Sequence, residues 1–428
     1  MAGLRTTPHR NPDHIASSDA WAALINGYLD VLRSDDPVPM FDAFRMAPVQ
    51  RTSTGVWLVT QYAPTIAVLS HRAMSSNPSA AGPMPVAEGH GADGTGDSAL
   101  RSSESRVILF LDPPDHTVVR RIVSHGLANA ATAVRVDAAA RLRAFDRSAG
   151  ELVKDVVIPV ATNAVCDLVG LPRSASPVLA VWARATSDAL DPGAGIEEIR
   201  RAQSSGMRTM TLIKRSVDAG PPPGSLLAEL GWARAEGLID EREQLANAVS
   251  VVSAGSDTVL GLLTMGTLAM VRRPDLVATL GADRSLLRPF IDEIVRLESP
   301  AQMTVRTVCE AVTFPFASFA RGDTVVVLLG CANRDPAAFA DADQIRLDRS
   351  EPTPVGFGWG PHRCVGAAVA HTIGAEFFGA LLDYWKFVSI ADAGHQHRNH
   401  SVFRSMDLLL TGPGVAATEA DDRSSGRA

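Results

Sequence analysis

The stretch Phe357-Gly358-Trp359-Gly360-Pro361-His362-Arg363-Cys364-Val365-Gly366 decides how the rest of this chain is read. Gly358, Gly360 and Gly366 fall within nine residues and free the backbone to bend sharply and approach something flat. The loop then gives way to a helix-forming run, Ala367-Ala368-Val369-Ala370, so Cys364 stands just before a helix start. Amide N–H groups and the helix dipole at such a start favour thiolate over thiol.

A thiolate held in this way can be the axial ligand of a haem iron. Two other readings compete: a cysteine at a helix start with no metal, and a nucleophilic pair of His362 and Cys364. The nucleophilic pair gives the three glycines no purpose. The pattern F-G-x-G-x-H-x-C-x-G, matched at all six fixed positions, resembles the haem-binding loop of the cytochrome P-450 monooxygenases. The resemblance implies that Cys364 binds the iron of haem b, that Phe357 packs near the sulfur, and that His362 contacts a haem propionate. Gly358 and Gly366 would shape the loop around the cofactor.

Composition is compatible with this. The 428 residues are 46% hydrophobic and 20% charged, with a formal net charge of -7. That is material for a large core, and mild acidity argues against general nucleic-acid binding. The four cysteines, Cys166, Cys309, Cys331 and Cys364, show neither CxxC nor disulfide-framework spacing, which fits a reducing cytoplasm. Residues 1–18 are polar, without an apolar signal core or anchor, and read as a flexible N-terminus. Residues 19–412 read as one domain and 413–428 as a polar, disordered tail. Val249–Val271 is long and mostly apolar, but Asp257 near its middle points to a buried helix of a soluble protein rather than a membrane span.

Apolar spacing predicts helices over 20–33, 63–70, 113–127, 129–145, 151–169, 174–189, 196–218, 225–236, 241–272 and 285–298. A β-hairpin is expected from 48–52 and 56–60, and further short strands at 303–308, 311–314, 324–329, 386–390 and 407–411. Residues 77–105, rich in Gly, Ser, Pro and Asp, read as a long functional loop. The expected fold is mainly α with small antiparallel β-sheets, in a single large domain.

Four further motifs extend the resemblance over most of the chain, from about residue 40 to 410. Ala254-Gly255-Ser256-Asp257-Thr258 lies inside the long apolar helix. Gly255 weakens helix, and Thr258 can turn its hydroxyl onto the i−4 carbonyl, so a local widening with room for a small ligand is expected. The resemblance makes this the oxygen-binding segment: Ala254 and Gly255 line the cofactor, Thr258 hydrogen-bonds O2 at the site, and Asp257 relays protons from solvent. Glu293-Ile294-Val295-Arg296 places carboxylate and guanidinium on one helix face. It resembles the family's ExxR helix, whose buried pair has a structural role. The meander opening Asn333-Arg334-Asp335-Pro336 matches the family, but Gln344 stands where an arginine is usual. Arg346 or Arg349 is then left to supply the third charged partner.

In Asp112-Pro113-Pro114-Asp115-His116-Thr117-Val118-Val119-Arg120-Arg121, His116 and Arg120 share a helix face at i, i+4. They resemble the family's propionate-binding H-T-x-x-R, and Arg306 matches another propionate-binding arginine. After the cysteine the family commonly has Ala-Arg, whereas this chain has Ala370-His371. Arg363, Arg120 and Arg121 could make the proximal face basic, and by resemblance a ferredoxin would dock there, with its reductase drawing electrons ultimately from NAD(P)H.

The resemblance places substrate contacts in residues 77–108, 174–206, 247–258, 300–305 and 401–405. Candidates there or beside them are mostly apolar: Met84, Val107, Leu109, Val251, Gln302, Met303, Val305 and Phe403, with Thr304 as a second polar group beside Gln302. They suit a mid-sized, mostly apolar molecule such as a secondary-metabolite intermediate. The implied protein is a cytoplasmic, monomeric monooxygenase with no membrane or nucleic-acid partner, hydroxylating its substrate or carrying out epoxidation, desaturation or oxidative coupling. The rivals are a haem-binding sensor without turnover, which has no need of Asp257 and Thr258, and a thiol hydrolase.

Overall fold

The computed structural model describes residues 41–80, 107–145, 151–190 and 194–385, apart from 42–43, 46, 53–54 and 351, together with the strands Gln396–Arg398 and Ser405–Asp407. The expected helix 20–33, the two tails, Met84 and most of its loop, the run 386–390 and Phe403 lie outside the described residues.

The fold is organised around one long helix. Its start is fixed by a capping box, in which Asp240 accepts the Glu243 N–H and Glu243 accepts the Asp240 N–H, both at 2.7 Å. From there it runs as Glu241–Arg272, 32 residues and so about 48 Å long. By length and composition it could cross a membrane, but 72% of its most apolar stretch is buried inside the fold. Around it, numbering helices in chain order, pack α4 (Ile158–Val169), α5 (Ser176–Leu190), α6 (Ile196–Asp218), α7 (Leu226–Ala235), α10 (Leu287–Glu298) and α12 (Ala367–Tyr384), with the long helix itself as α8. Phe290, Phe377 and Phe378 are fully buried between α8, α10 and α12, with Phe290 and Phe378 edge to face at 5.1 Å. Each such ring contributes about 1.5–3 kcal/mol by leaving water. The remaining helices are α1 (Tyr62–Ser70), α2 (Asp115–Ala131), α3 (Ala138–Ala144), α9 (Pro274–Ala282) and the short α11 (Leu329–Ala332).

The expected helix 129–145 is divided. Beyond Ala131 the backbone leaves the helix, because tertiary partners take its polar groups: the Arg135 N–H donates to Asp167 at 3.0 Å, and Asp137 accepts from Arg141 and Asn163. The helix expected over 151–169 begins as a π turn, Val153–Val157, before α4.

Strands β1 (Val49–Arg51), β2 (Trp57–Val59), β7 (Thr324–Leu328), β4 (Met303–Val308) and β3 (Met74–Ser75) form one sheet in that order. Its pairings are antiparallel except β2 with β7, where Leu58 sits beside Val326 in a parallel ladder. Strands β5 (Val312–Phe314) with β6 (Ala317–Phe319), and β8 (Gln396–Arg398) with β9 (Ser405–Asp407), make two antiparallel ribbons. Strand β4 matters most for the site, since it carries Arg306 inward from the end of α10.

Candidate functional site

The loop before α12 is bent where the sequence permits it. Gly358 and Gly360 both have φ of 69°, a left-handed conformation that side chains resist. A Cβ on Gly360 would lie 2.3 Å from the Leu69 carbonyl oxygen. Within the bend, the Cys364 N–H donates to the Phe357 carbonyl at 2.7 Å and the Arg363 N–H to Gly360 at 3.1 Å. Cys364 itself is exposed. Burial of its surroundings nevertheless pushes the thiol up, outweighing the Gly366 and Ala367 amides and the Arg120 and Arg363 charges that pull it down. The amides at the helix start thus favour thiolate as expected, burial opposes them, and a coordinating metal would deprotonate the thiol.

Beside this loop gathers a group of basic side chains with little carboxylate around them. His116 on α2 is 2% exposed, its Nε2 has no partner, and its ring lies 4.2 Å from that of His362, whose Nε2 is also without a partner. Burial, then His116, Arg306 and Arg120, push His362 down to about 3. His116 is lowered chiefly by burial, then by Arg120. Arg306 is brought down to about 10 by burial, and its Nη1 donates to Thr304 Oγ1 at 2.9 Å and the Val305 carbonyl at 2.8 Å. Arg120 reaches across to the Arg363 carbonyl at 2.7 Å, tying α2 to the cysteine loop. Asp112 opposes these charges from one side, but it is held by the Ser75 hydroxyl and, at 3.1 Å, by the Ser76 N–H. Buried polar atoms without partners are rare in folded proteins. Two imidazoles and a guanidinium depressed together leave a place for carboxylate oxygens.

In the central helix, Thr258 Oγ1 donates to the Ala254 carbonyl at 2.6 Å, the expected i−4 bond. The helix is continuous through this turn. Gly255 has another use: a Cβ there would lie 3.3 Å from Val165 Cγ2, so the glycine lets α8 and α4 pack closely. Ala254 is exposed although the helix around it is largely buried, which marks open space on that face. Asp257 is buried and accepts a short hydrogen bond from the Ser187 hydroxyl on α5. Sequence reasoning missed Ser187, since nothing local links positions 70 residues apart.

Glu293 and Arg296 are buried, with side chains 4% and 0% exposed. All five Arg296 N–H groups are satisfied: Nε and Nη2 donate to Glu293 at 2.6 and 2.9 Å, Nη1 to the Asn333 and Ala342 carbonyls, and Nη2 also to Gln344. The third charged partner is Arg349, whose Nε donates to Glu293 at 3.0 Å. Arg346 contributes only its backbone N–H, at 2.9 Å, while its side chain pairs outward with Asp341 and Asp348. Gln344 takes part through its carbonyl, so the missing side-chain charge is irrelevant there.

The expected substrate contacts scatter. Val251 is half-buried on α8, Val107 is buried, and Leu109 and Val305 are exposed at 54% and 43%. Met303 is half-buried and packs against the cluster of Phe41, Phe44, Val56 and Leu58 under the sheet. Gln302 is a correction. It is buried, and its Nε2 donates to the Glu298 and Ser299 carbonyls at 2.6 and 2.7 Å, closing the end of α10. Its place just beyond a helix end, beside orphan carbonyls, was the signal available in the sequence.

One sulfur cannot hold a bare metal ion, and among the described residues no group of three His, Cys, Asp or Glu side chains completes a coordination shell. A metal held by Cys364 must bring its other ligands with it, and the unpartnered imidazoles, with Arg306 and Arg120 beside them, suit a molecule that carries carboxylates. A haem bound through thiolate, with its propionates, satisfies both demands, so the residues present fit that class of cofactor.

Comparison with known proteins agrees. The family model described as Cytochrome P450 matches residues 233–406. The chain is 31% identical to cytochrome P450 144 of Mycobacterium tuberculosis over 304 residues, covering 68% of this chain and 69% of that one. It is 29% identical to cytochrome P450 107B1 of Saccharopolyspora erythraea, over 94% and 98% of the two chains. Among solved structures it resembles CalO2, with a TM-score of 0.74 and 26% identity over 90% of this chain and 97% of that one. It also superposes on P450BioI, solved with an acyl carrier protein bearing hexadec-9Z-enoic acid, with a TM-score of 0.77 and 22% identity over 90% and 100%. The chain belongs to the cytochrome P450 family. It is thus an oxidoreductase of the monooxygenase type, whose family cofactor is haem held by a cysteine thiolate and whose co-substrate is O2.

Proposed function

We propose that this protein oxidises a mid-sized, mostly apolar secondary-metabolite intermediate, most simply by hydroxylation, with electrons from NAD(P)H passed through a ferredoxin reductase and a ferredoxin. The observation that carries the reading is the pairing of Cys364, exposed in a rigid glycine loop, with the unpartnered nitrogens of His116 and His362. Haem bound there would supply the oxygen-activating chemistry.

The chain's own residues have separable tasks. Cys364 Sγ would hold the haem iron, with the Gly366 and Ala367 amides drawing on its electron density. His116, His362, Arg306 and Arg120 would hold the propionates and so fix the cofactor's rotation. Phe357 and Gly358 would shape the proximal face. Reducing one atom of O2 to water takes two protons and two electrons, and Asp257 would bring the protons inward for the Thr258 hydroxyl to hand on. Ala254 and Gly255 would border the oxygen site, where the exposed methyl of Ala254 leaves room. Of the substrate candidates, Val251 on α8 and the exposed Val305 on β4 remain suited to the pocket wall.

Relatives support the substrate class. One, 26% identical over 82% of this chain and 80% of its own length, is the 20-oxo-5-O-mycaminosyltylactone 23-monooxygenase of Streptomyces fradiae. A structural neighbour is the cytochrome P450 PksS of the bacillaene polyketide synthase, at a TM-score of 0.74 and 22% identity over 89% of this chain and 98% of that one. The basic neighbourhood of Arg120, Arg121 and Arg363 suits an acidic ferredoxin meeting a cytoplasmic monomer. The test is optical. Purified protein should be red-brown, and its reduced carbon monoxide complex should show the strongly red-shifted Soret band of thiolate ligation. A colourless preparation after haem supplementation would sink the proposal. Screening candidate metabolites for displacement of the sixth iron ligand would then identify the substrate class.

A further inference from the structure

His371 follows the ligand loop on α12, at the position where the family commonly carries an arginine. Its ring is fixed at three places. Nδ1 lies 2.8 Å from the Ala367 carbonyl oxygen, and Nε2 lies 2.7 Å from Asp292 Oδ1 on α10. The ring also rests against Phe357, with centroids 5.4 Å apart. A carbonyl oxygen can only accept, and so can an ionised carboxylate. Both ring nitrogens must therefore donate, which makes the bonded form of His371 an imidazolium. The side chain is 14% exposed and that of Asp292 43%, so the pair is partly sheltered.

Its position gives the pair a task. Phe357 is the residue whose carbonyl accepts the Cys364 N–H at 2.7 Å, and its ring is half-buried against the main core. Asp292 is next in sequence to Glu293, so the brace springs from the same helix as the buried arginine network. We infer that His371, as an imidazolium clamped by Asp292, is a positioning residue for the axial cysteine: it pins the Phe357 ring and the first turn of α12 to α10, and so holds the Cys364 loop in ligating geometry. It fills the arginine's place with a shorter cation of similar donor reach. The inference rests on the haem-thiolate reading of this site.

The test compares haem-loaded wild type with His371→Ala, His371→Gln, His371→Arg and Asp292→Asn. Thr372→Ala, one residue on and exposed, is the control. Three quantities are read: the fraction of the reduced carbon monoxide complex keeping the thiolate band in mild chaotrope, the haem reduction potential, and the ring 15N shifts of His371. The His371→Ala and His371→Gln variants should raise the ratio of lost to kept thiolate about tenfold, the low end for a hydrogen bond to a charged group. They should also move the potential negative, because the positive charge resting on the Phe357 ring is gone while Asp292 remains. The His371→Arg variant should restore both, Asp292→Asn should fall between, and Thr372→Ala should match wild type. The wild-type ring should show the shift pattern of two protonated nitrogens. Thiolate retention and potential unchanged in both His371→Ala and His371→Gln would overturn the inference, as would a neutral ring in the folded protein. Absence of the thiolate band in wild type itself would overturn the haem reading instead, and the brace with it.

Discussion

Replacing Glu293 by glutamine is the most demanding check on the reasoning, because it changes charge with almost no change in shape. The carboxylate accepts four hydrogen bonds: from Arg296 Nε and Nη2 at 2.6 and 2.9 Å, from Arg349 Nε at 3.0 Å and from the Arg346 backbone at 2.9 Å. An amide keeps one acceptor oxygen and turns two donor hydrogens toward groups that are themselves donors. Two guanidiniums with side chains 0% and 8% exposed are then left without a counter-charge. Breaking a buried pair from one side costs about 3–5 kcal/mol. Against a total of about 5–15 kcal/mol that is about a fifth or more of the fold's stability. Urea unfolding followed by far-UV circular dichroism should show a midpoint well below wild type, with haem retention falling alongside. The comparison variant is Arg346→Ala, whose side chain pairs only with the exposed Asp341 and Asp348 and which should cost under about 1 kcal/mol. A Glu293→Gln protein within about 1 kcal/mol of wild type, or an Arg346→Ala loss as large, would refute the account.

Three other outcomes are expected. Thr258→Ala should keep the haem while reducing equivalents are diverted to peroxide and product per electron falls; a peroxide assay showing unchanged coupling counts against the role given to the hydroxyl. Arg306→Ala removes a buried cation whose opposing carboxylate, Asp112, is already held by Ser75 and Ser76, so the haem-free protein should lose little stability. Haem should meanwhile dissociate about tenfold faster or more, as expected for a lost charge-assisted bond; slower or equal haem loss contradicts the propionate reading. In the haem-free protein, His362 titrates near 3 when folded but near 6.5 when unfolded. Its contribution to stability is complete above pH 6.5 and disappears as the pH falls towards 3, because the unfolded chain takes up the proton first. Unfolding midpoints should therefore decline over that window, and His362→Gln should flatten the decline.

What was legible in the sequence was whatever depends on near neighbours. The bend at Gly358 and Gly360, the i, i+3 pair Glu293 and Arg296, the i, i+4 placement of His116 and Arg120, and the Thr258 back-bond all follow from local spacing, and each is found. Contacts across the fold were not legible. Arg349 and Arg346 looked equally able to complete the network, and only the path of the meander decides that one offers its side chain and the other its backbone. Gln302 looked like a polar pocket residue because composition cannot show that the end of α10 takes its amide. The amides that favour ionisation of Cys364 are visible in sequence as a helix start, whereas the burial that opposes them is not.

The saturation of Arg296 has a consequence beyond stability. Three of its acceptors are main-chain carbonyls at residues 333, 342 and 344, contributed by a segment with little regular structure. The guanidinium thus acts as a gauge of register: sliding that segment by a single residue would present it with amide hydrogens or empty space. Lysine, whose three hydrogens radiate from one atom, could not read the same spacing, so a swap that preserves charge would still let the underside of the cysteine loop drift out of alignment.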